Sequence, residues 1–575
     1  MFGTDIVEQA NRYVPPNMVA YDEVYKAFRW NKYISELSGL PNREGLNIAY
    51  EAVDRHAAGK LRNKIAMRWL GDDGTTEEFS YQKLKEETGR FANILQSLGV
   101  EEGEVVATLT GRIPGLFIAA LGAMKTRSLF CPIPAGDTRE SIWSCLEQAN
   151  PKVLVTTGAL YREKVEPALD QLENLQHVLL VDEMERRDPM IESMPLLMRQ
   201  ADKMFDLPPT DPDDPAMVQF SSGSSGPPKG VIHTHKSALI HYITGKFVLD
   251  FHADDIFWCT AAPGWAPCTF YGMLSPLLHG VTSLVVEGDL EPHLCYQILE
   301  EQMVSVWYTT PVILQKLMHE DIDVGKQYNL NALRLIHSTG GPVRPQIQRW
   351  SQETLELPIL DTWGQAETGG IMIANYPGMR IKPGAMGKPL PGIKAAIVKT
   401  DESGELTFIE EPGETGQLAL KTGWPSMFAG YVEGEYKQRF AGGWYLTGDL
   451  VHRDEQGYFW FGGRMEQTLL LEADEVTSFE IEQVLMTHPA ILEAAVVAEK
   501  EADPKAILYA YIAVKAGCQP DEDLAMEIKS FAGEQLDLIP AGLKIEFMRR
   551  LPKTPSGTIR RYKLRDREYK LPLSM

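Results

Sequence analysis

An α/β fold is what the sequence predicts, on three observations. From Lys64 to about Leu180, short β-type runs (Val105–Leu109, Val153–Thr156, Val178–Val181) alternate with helical stretches (Tyr81–Leu98, Pro114–Met124, Thr138–Gln148), the habit of a parallel sheet covered by helices. A second series of the same kind opens at residues 220–230 and runs to about Gly340. The third observation is length: 575 residues exceed what one hydrophobic core organises, so two or more domains are expected.

In chain order, residues 1 to about 60 read as a mostly helical lead-in, with apolar residues three and four apart in Tyr21–Phe28 and Ile48–His56. Between Arg380 and Gly430, Gly- and Pro-rich turns alternate with short β-type runs, which predicts a small β-rich subdomain. After Gly462-Gly463-Arg464, a helix (Phe479–Met486), two strands (Ala494–Ala498, Leu508–Val514) and a helix (Asp523–Leu536) form a compact α+β unit. The boundary is placed at Arg464–Gln467, giving a large N-terminal domain, 1–464, and a small C-terminal domain, 465–575.

Composition narrows the function. Hydrophobic residues at 44% and charged residues at 23% are those of a globular chain rather than a disordered one. A formal net charge of −23 disfavours a nucleic-acid partner, since phosphate backbones are bound by clustered Lys and Arg. The six cysteines show neither CxxC nor CxxH spacing, so no zinc site or disulfide framework is indicated and a reducing cytoplasm fits. No basic start leads into an apolar core, and no run of about 18 apolar residues occurs, so neither secretion nor a membrane span is expected.

The stretch Phe220–Gly230, FSSGSSGPPKG, follows a strand-like run, Ala216–Gln219, and precedes a helical one, His235–Leu249. Hydroxyls of Ser221, Ser222, Ser224 and Ser225 and amides at Gly223 and Gly226 can converge on phosphate oxygens, and Lys229 adds a point charge. The order is not that of the GxxxxGK[ST] loop. Ser/Gly composition alone would read as a linker, but Pro227-Pro228 stiffens the segment.

This stretch, read on as FSSGSSGPPKGVIHTH, is similar to the phosphate loop of the AMP-forming acyl-CoA synthetases, in the superfamily that also holds luciferases and peptide-synthetase adenylation domains. The resemblance covers nearly the whole chain and looks closest to the acetyl- and medium-chain branch. It implies a mobile C-terminal domain and a reaction in which a carboxylate attacks the α-phosphorus of ATP, giving acyl-AMP and pyrophosphate, after which CoA displaces AMP. ATP, Mg²⁺, CoA and a small carboxylic acid are the implied ligands.

The resemblance also assigns residues. Thr339 and the turn Gly340-Gly341-Pro342 follow a strand-like run at Leu333–Ile336; the family sets adenine against such a turn, and Thr339 is assigned to the acyl group together with Trp265, Ala266 and Gly364. In Asp361-Thr362-Trp363-Gly364-Gln365-Ala366-Glu367, after the apolar run Pro358–Leu360, Trp363 would stack on adenine and Glu367 would help hold Mg²⁺. Asp449, ending WYLTGD, would accept from the ribose hydroxyls with Arg464 donating nearby, and Glu466 would sit at the hinge. Taken alone, each motif reads as a plain turn, a core Trp or a solvated carboxylate; their order along one chain argues for the site. For the acyl group, relatives specific for acetate carry a second Trp where this chain has Gly364 and a valine where it has Ala266, after Trp265. The missing bulk predicts an acid larger than acetate, each buried methylene being worth roughly 0.8 kcal/mol.

Two departures lie in the C-terminal unit. The family's PKTxSGK pattern ends in a catalytic lysine, and this chain has Thr558 there. Where the family has SG, one variable residue and Arg beside the pantetheine tunnel, this chain reads Glu472-Ala473-Asp474-Glu475, adding a methyl at Ala473 and reversing charge at Glu475. Ala366 for Thr and Pro267 for Thr are milder changes. The leading expectation is an acyl-CoA ligase. The alternatives are a catalytically impaired nucleotide- or acyl-binding paralogue, and an adenylating enzyme with a non-CoA acceptor.

Overall fold

A computed structural model describes residues 14–183, 189–221, 223, 226–320, 322–401, 403–471, 474–498, 507–536, 543–554 and 557–566. The chain divides into two compact units. One comprises Met1–Ser221, Pro228–Ile393 and Gly423–Tyr436; the other comprises Ser222–Pro227, Lys394–Thr422 and Lys437–Met575. The expected α/β architecture is present.

The first unit holds two sheets. In one, Val105–Leu109 lies between Leu129–Pro132 and Val153–Thr156, and His177–Leu180 and Ile191–Ser193 extend the sheet, all in parallel register. These runs are rich in Val, Leu and Ile because both of their faces are covered, as parallel strands require. Pro215–Phe220 pairs parallel with Leu129–Pro132 and then antiparallel with Gly230–Thr234. The serine-rich stretch therefore joins two strands of a hairpin. Sequence reading had a helix as the next element; that helix, Ala238–Phe247, begins one strand later.

In the second sheet of this unit, Ile65–Leu70, Thr282–Val286, Ile256–Cys259, Val306–Thr309, Leu335–Ser338 and Ile359–Gln365 run parallel in that spatial order. Antiparallel Gly370–Ala374 and Ala385–Pro389 follow. Helices Pro292–Glu301, Pro311–His319 and Pro345–Thr354 start with proline at the first helical position, where its missing N–H costs nothing. They help bury one core with Trp258, Trp307, Leu314, Ile336, Ile347 and Trp350. Every strand of the parallel series thus points its C-terminal end to one edge, where α/β sheets bind ligands.

The second unit contains an antiparallel sheet of Leu406–Phe408, Ala395–Thr400, Gly416–Lys421, Trp444–Arg453 and Phe459–Arg464. Residues Met465–Gln467 form a 3-10 turn, followed by the hairpin Thr468–Leu471 and Asp474–Thr477. Helix Ser478–Leu485 opens with a capping box, Thr477 accepting from Glu480 N–H while Glu480 accepts from Thr477 N–H. It packs with helix Glu522–Gln535 on the sheet Ile491–Ala498, Leu508–Val514 and Leu543–Phe547 around Leu485, Val496, Ile512 and Ile528.

Candidate active site

The turn after Leu335–Ser338 is shaped by a requirement for glycine. Gly340 has φ +90°, and a Cβ there would lie 2.7 Å from Cη2 of Trp265. Any side chain would collide with the indole, so Gly340 lets the turn and Trp265 approach each other. Thr339 N–H donates to the Thr309 carbonyl at 3.1 Å, tying the turn to the neighbouring strand end.

The next strand end carries the most residues named from sequence. Asp361 is buried and accepts from its own neighbour's amide, Thr362 N–H (2.9 Å), and from Val343 N–H (3.4 Å), just after Gly340-Gly341-Pro342. Burial pushes its carboxyl up to about 8 against those two amides, so at neutral pH it is a protonated group joining two loops. Thr362 Oγ1 donates to the Ser338 carbonyl at 2.7 Å. Trp363 is half-buried.

Gly364 has a different environment from the one its substitution pattern suggests. The strand register shifts between Trp363 and Gly364, and a Cβ on Gly364 would lie 2.4 Å from the Gly370 carbonyl oxygen. The space in its side-chain direction is occupied by main chain. Ala266 is buried beside the half-buried Trp265, and Pro267 precedes the π-helix Cys268–Leu274.

That π-helix supplies Phe270 and Tyr271 to an aromatic wall. His241 stacks on Phe270 (4.8 Å between centroids) and His233 meets its edge (5.5 Å). Tyr308 lies between Tyr271 (5.4 Å) and His337 (6.5 Å). Burial holds His233 down to about 4 and His241 and His337 down to about 3, so all three imidazoles are neutral, each with one donor and one acceptor.

Glu367 is fixed by a segment far along the chain. Its carbonyl accepts from Phe428 N–H at 3.2 Å, and its Oε1 accepts from the Tyr431 hydroxyl at 2.9 Å. The next carbonyl, of Thr368, accepts from Trp424 Nε1 (3.0 Å) and Ser426 Oγ (2.7 Å). Sequence reading missed Trp424, Ser426 and Tyr431; the aromatic spacing of Phe428, Tyr431 and Tyr436 is the one local signal they leave. At the base of the serine-rich hairpin, Ser221 N–H donates to the Lys229 carbonyl and Lys229 N–H to Ser221 Oγ, both at 2.9 Å. Lys229 Nζ lies 5.4 Å from the Tyr431 ring centroid. Gly223 takes φ +62°; Ser222, Ser224 and Ser225 lie outside the described residues.

Among the described residues no three His, Cys, Asp or Glu side chains gather as a metal cluster. Glu367 as a lone carboxylate fits a Mg²⁺ that takes most of its ligands from phosphate and water, the usual habit of that ion.

In the second unit, Asp449 and Arg464 face each other across two strands, with Arg464 Nε 2.8 Å from Asp449 Oδ1. The turn bearing Glu466 is exposed. Thr558 N–H donates to Thr554 Oγ1 (3.1 Å) and its carbonyl accepts from Thr554 N–H (2.8 Å), closing a small loop. Lys553, next to Thr554 in sequence, is ion-paired with Glu493. Glu475 lies on the strand Asp474–Thr477 opposite Leu470, and Ala473 is outside the described residues. All six cysteines are free thiols, five of them buried. Among the described residues no helix is long and apolar enough to cross a membrane.

Comparison with known proteins bears on this arrangement. Residues 53–432 match the AMP-binding enzyme family and residues 480–558 the AMP-binding enzyme C-terminal domain. The acetyl-coenzyme A synthetase of Bacillus subtilis (strain 168) is 38% identical over 560 residues, covering 97% of this chain and 96% of that protein. An acyl-CoA synthetase from Brucella canis superposes with a TM-score of 0.74 at 29% identity, over 96% of this chain and 99% of its own. A benzoate CoA ligase from Burkholderia xenovorans LB400 gives 0.76 at 26%, over 90% and 99%.

Proposed function

Because the chain belongs to the AMP-binding enzyme family and is an AMP-forming acyl-CoA ligase by its relatives, we propose that it activates a carboxylic acid larger than acetate, first to acyl-AMP and then to acyl-CoA. The observation that carries the adenylation half is the fixed Glu367 carboxylate at the end of the strand-and-turn series, hydrogen-bonded by Tyr431 whose ring faces Lys229.

In this reading the serine-rich hairpin and Lys229 hold the phosphates, the Gly340-Gly341-Pro342 turn and Trp363 hold adenine, and Asp449 with Arg464 holds the ribose. Glu367 would hold Mg²⁺, which would supply positive charge against the phosphates. The protein's share of the chemistry is positioning and charge stabilisation at the α-phosphorus, since the acid itself is the nucleophile. Asp361, protonated and tied to Val343 N–H, keeps the adenine turn in register with the strand that bears Trp363.

The acid preference rests on Ala266, where a small side chain replaces a larger one beside Trp265. Gly364 supports it less than its identity suggests, because the Gly370 main chain already fills the direction a side chain would take. The curated relative acts on acetate by name, while a benzoate ligase shares the fold, so the family spans both sizes. Thr558 and Glu475 favour a second reading, a nucleotide- or acyl-binding protein with slow turnover, or one that passes the acyl group to another acceptor. Lys553 is ion-paired with Glu493, a partly exposed contact of the kind worth about 0–1 kcal/mol.

Pyrophosphate–ATP exchange across a panel of acids from acetate to ring-bearing acids tests the first half. Strongest exchange with an acid longer than acetate supports the reading; strongest exchange with acetate refutes the size assignment, and no exchange with any acid favours the binding protein.

A further inference from the structure

Tyr431 touches both charged groups assigned to the phosphate end of the site, although no motif names it. It lies on the two-residue strand Gly430–Tyr431, which pairs antiparallel with Gly230–Thr234 through Gly430↔Ile232 and Tyr431↔Val231. That partner strand begins immediately after Lys229. Flanking bonds from Ala429 N–H to the Ile232 carbonyl (2.9 Å) and from Val432 N–H to the Gly230 carbonyl (2.8 Å) lock the register.

The side chain is equally fixed. Tyr431 is 8% exposed, with Phe428 at 5.2 Å and Tyr436 at 6.4 Å between ring centroids. From this position its hydroxyl donates to Glu367 Oε1 at 2.9 Å, and its ring meets the Lys229 ammonium at 5.4 Å, within cation–π range. Phe428 N–H on the same segment holds the Glu367 carbonyl. One short strand thus sets a carboxylate and an ammonium from two separate loops. A phenol does this without adding charge, so it orients both groups while leaving their attraction for a metal and for phosphate in place.

We propose that Tyr431 is a positioning residue for adenylation, its hydroxyl orienting Glu367 toward the metal of Mg–ATP and its ring orienting Lys229 toward the phosphates. This rests on the ligase reading above. Tyr431→Phe keeps the ring and the packing and removes only the bond to Glu367. It is expected to raise the Mg²⁺ concentration for half-maximal pyrophosphate exchange about tenfold, the scale of one hydrogen bond to a charged group, with the melting temperature and the KM for CoA unchanged. Tyr431→Leu also removes the cation–π contact and is expected to weaken ATP binding further.

The test pairs exchange kinetics with calorimetry of ATP binding, with and without Mg²⁺, on the full chain. Weaker binding of Mg–ATP by Tyr431→Phe with unchanged metal-free ATP binding supports the proposal. So does a Tyr431→Phe/Glu367→Gln double variant no worse than Glu367→Gln alone, since the two changes would then remove one interaction. A wild-type Mg²⁺ response in Tyr431→Phe, equal losses with and without metal, or additive losses in the double variant would overturn it. If the wild type exchanges no acid at all, the ligase reading fails instead, and calorimetry still decides the role of Tyr431.

Discussion

Arg464 Nε lies 2.8 Å from Asp449 Oδ1, and the two residues are direct partners in the antiparallel pairing of Trp444–Arg453 with Phe459–Arg464. The pairing brings together two motifs that are separated in sequence. Asp449 has a nearly buried side chain, whereas Arg464 is about a third exposed, so the arginine holds the carboxylate in place while presenting part of its own fork outward.

Arg464→Ala should therefore weaken ATP binding by about tenfold or more, the scale of one charge-assisted hydrogen bond, and lower the melting temperature by stranding the Asp449 carboxylate. Arg464→Lys should recover part of the stability but less of the binding, because an ammonium lacks the planar fork. Calorimetry with Mg–ATP and thermal melts would check both. Unchanged nucleotide affinity in Arg464→Ala would remove the pair from the ribose site.

The proposed acyl assignment yields a prediction at each of two positions. Gly364→Ala should destabilise the fold by about 1–3 kcal/mol, since its Cβ would sit 2.4 Å from a carbonyl oxygen and a strand must move to admit it. Ala266→Val, at a buried site beside Trp265, should instead keep the fold and shift kcat/KM toward the shorter of two competing acids. A thermal melt separates the first effect, and competition between acetate and a longer acid reads the second. An Ala266→Val variant with an unaltered acid ratio would take Ala266 out of the pocket.

The contrast between these positions shows what could be read in the chain. Strands Val105–Leu109, Val153–Thr156 and Leu508–Val514 have the bounds their apolar runs predict, because each run is buried as a unit. Gly230–Thr234 went unread, since five residues containing His233 and Thr234 show little alternation and become a strand only by pairing with Pro215–Phe220. Tyr431 and Glu367 were equally out of reach together, being brought into contact by a pairing that spans some two hundred residues of chain. Gly364 was legible as a glycine, but its reason, a main-chain neighbour in the next strand, was not.

Acidification should destabilise the first unit. His233, His241 and His337 are held neutral by burial, at about 4, 3 and 3, while in the unfolded chain they titrate near 6.5. Below pH 6.5 the unfolded state takes up protons that the folded state refuses, so each imidazole removes about 1.4 kcal/mol of stability per pH unit until its folded value is reached. Asp361 works oppositely: its carboxyl, raised to about 8, keeps a proton in the fold that the unfolded chain has lost, and its contribution grows as pH falls from 8 toward 4. His235 is likewise held down to about 3 and His56 and His279 to about 4, while burial also raises the carboxyls of Glu51 and Asp250; the six imidazoles outweigh the raised carboxyls near pH 6, so the melting temperature should fall from pH 6.5 to 5. His241→Phe, which keeps a ring against Phe270, should flatten that fall by about one proton's worth. A pH series of melts with the same slope in the variant would mean that His241 is protonated in the fold.

The departures in the second unit predict which half-reaction each repair improves. Thr558 stands in a small loop closed by two bonds to Thr554, and the neighbouring Lys553 is ion-paired with Glu493. Thr558→Lys should accelerate pyrophosphate exchange, by up to about 100–1,000-fold if charge at the α-phosphate is what limits it. Glu475→Arg with Ala473→Gly should leave exchange unchanged and accelerate transfer from preformed acyl-AMP to CoA, because a carboxylate repels the phosphates that a CoA path must admit. Neither repair should substitute for the other, since one acts on charge that develops before pyrophosphate leaves and the other on a thiol that arrives after it. A tenfold gain is about 1.4 kcal/mol of barrier, so a partial rescue is measurable by following the two half-reactions separately. A wild type already fast in both, with neither repair changing its rate, would show that other side chains carry out what the family assigns to the missing lysine and arginine.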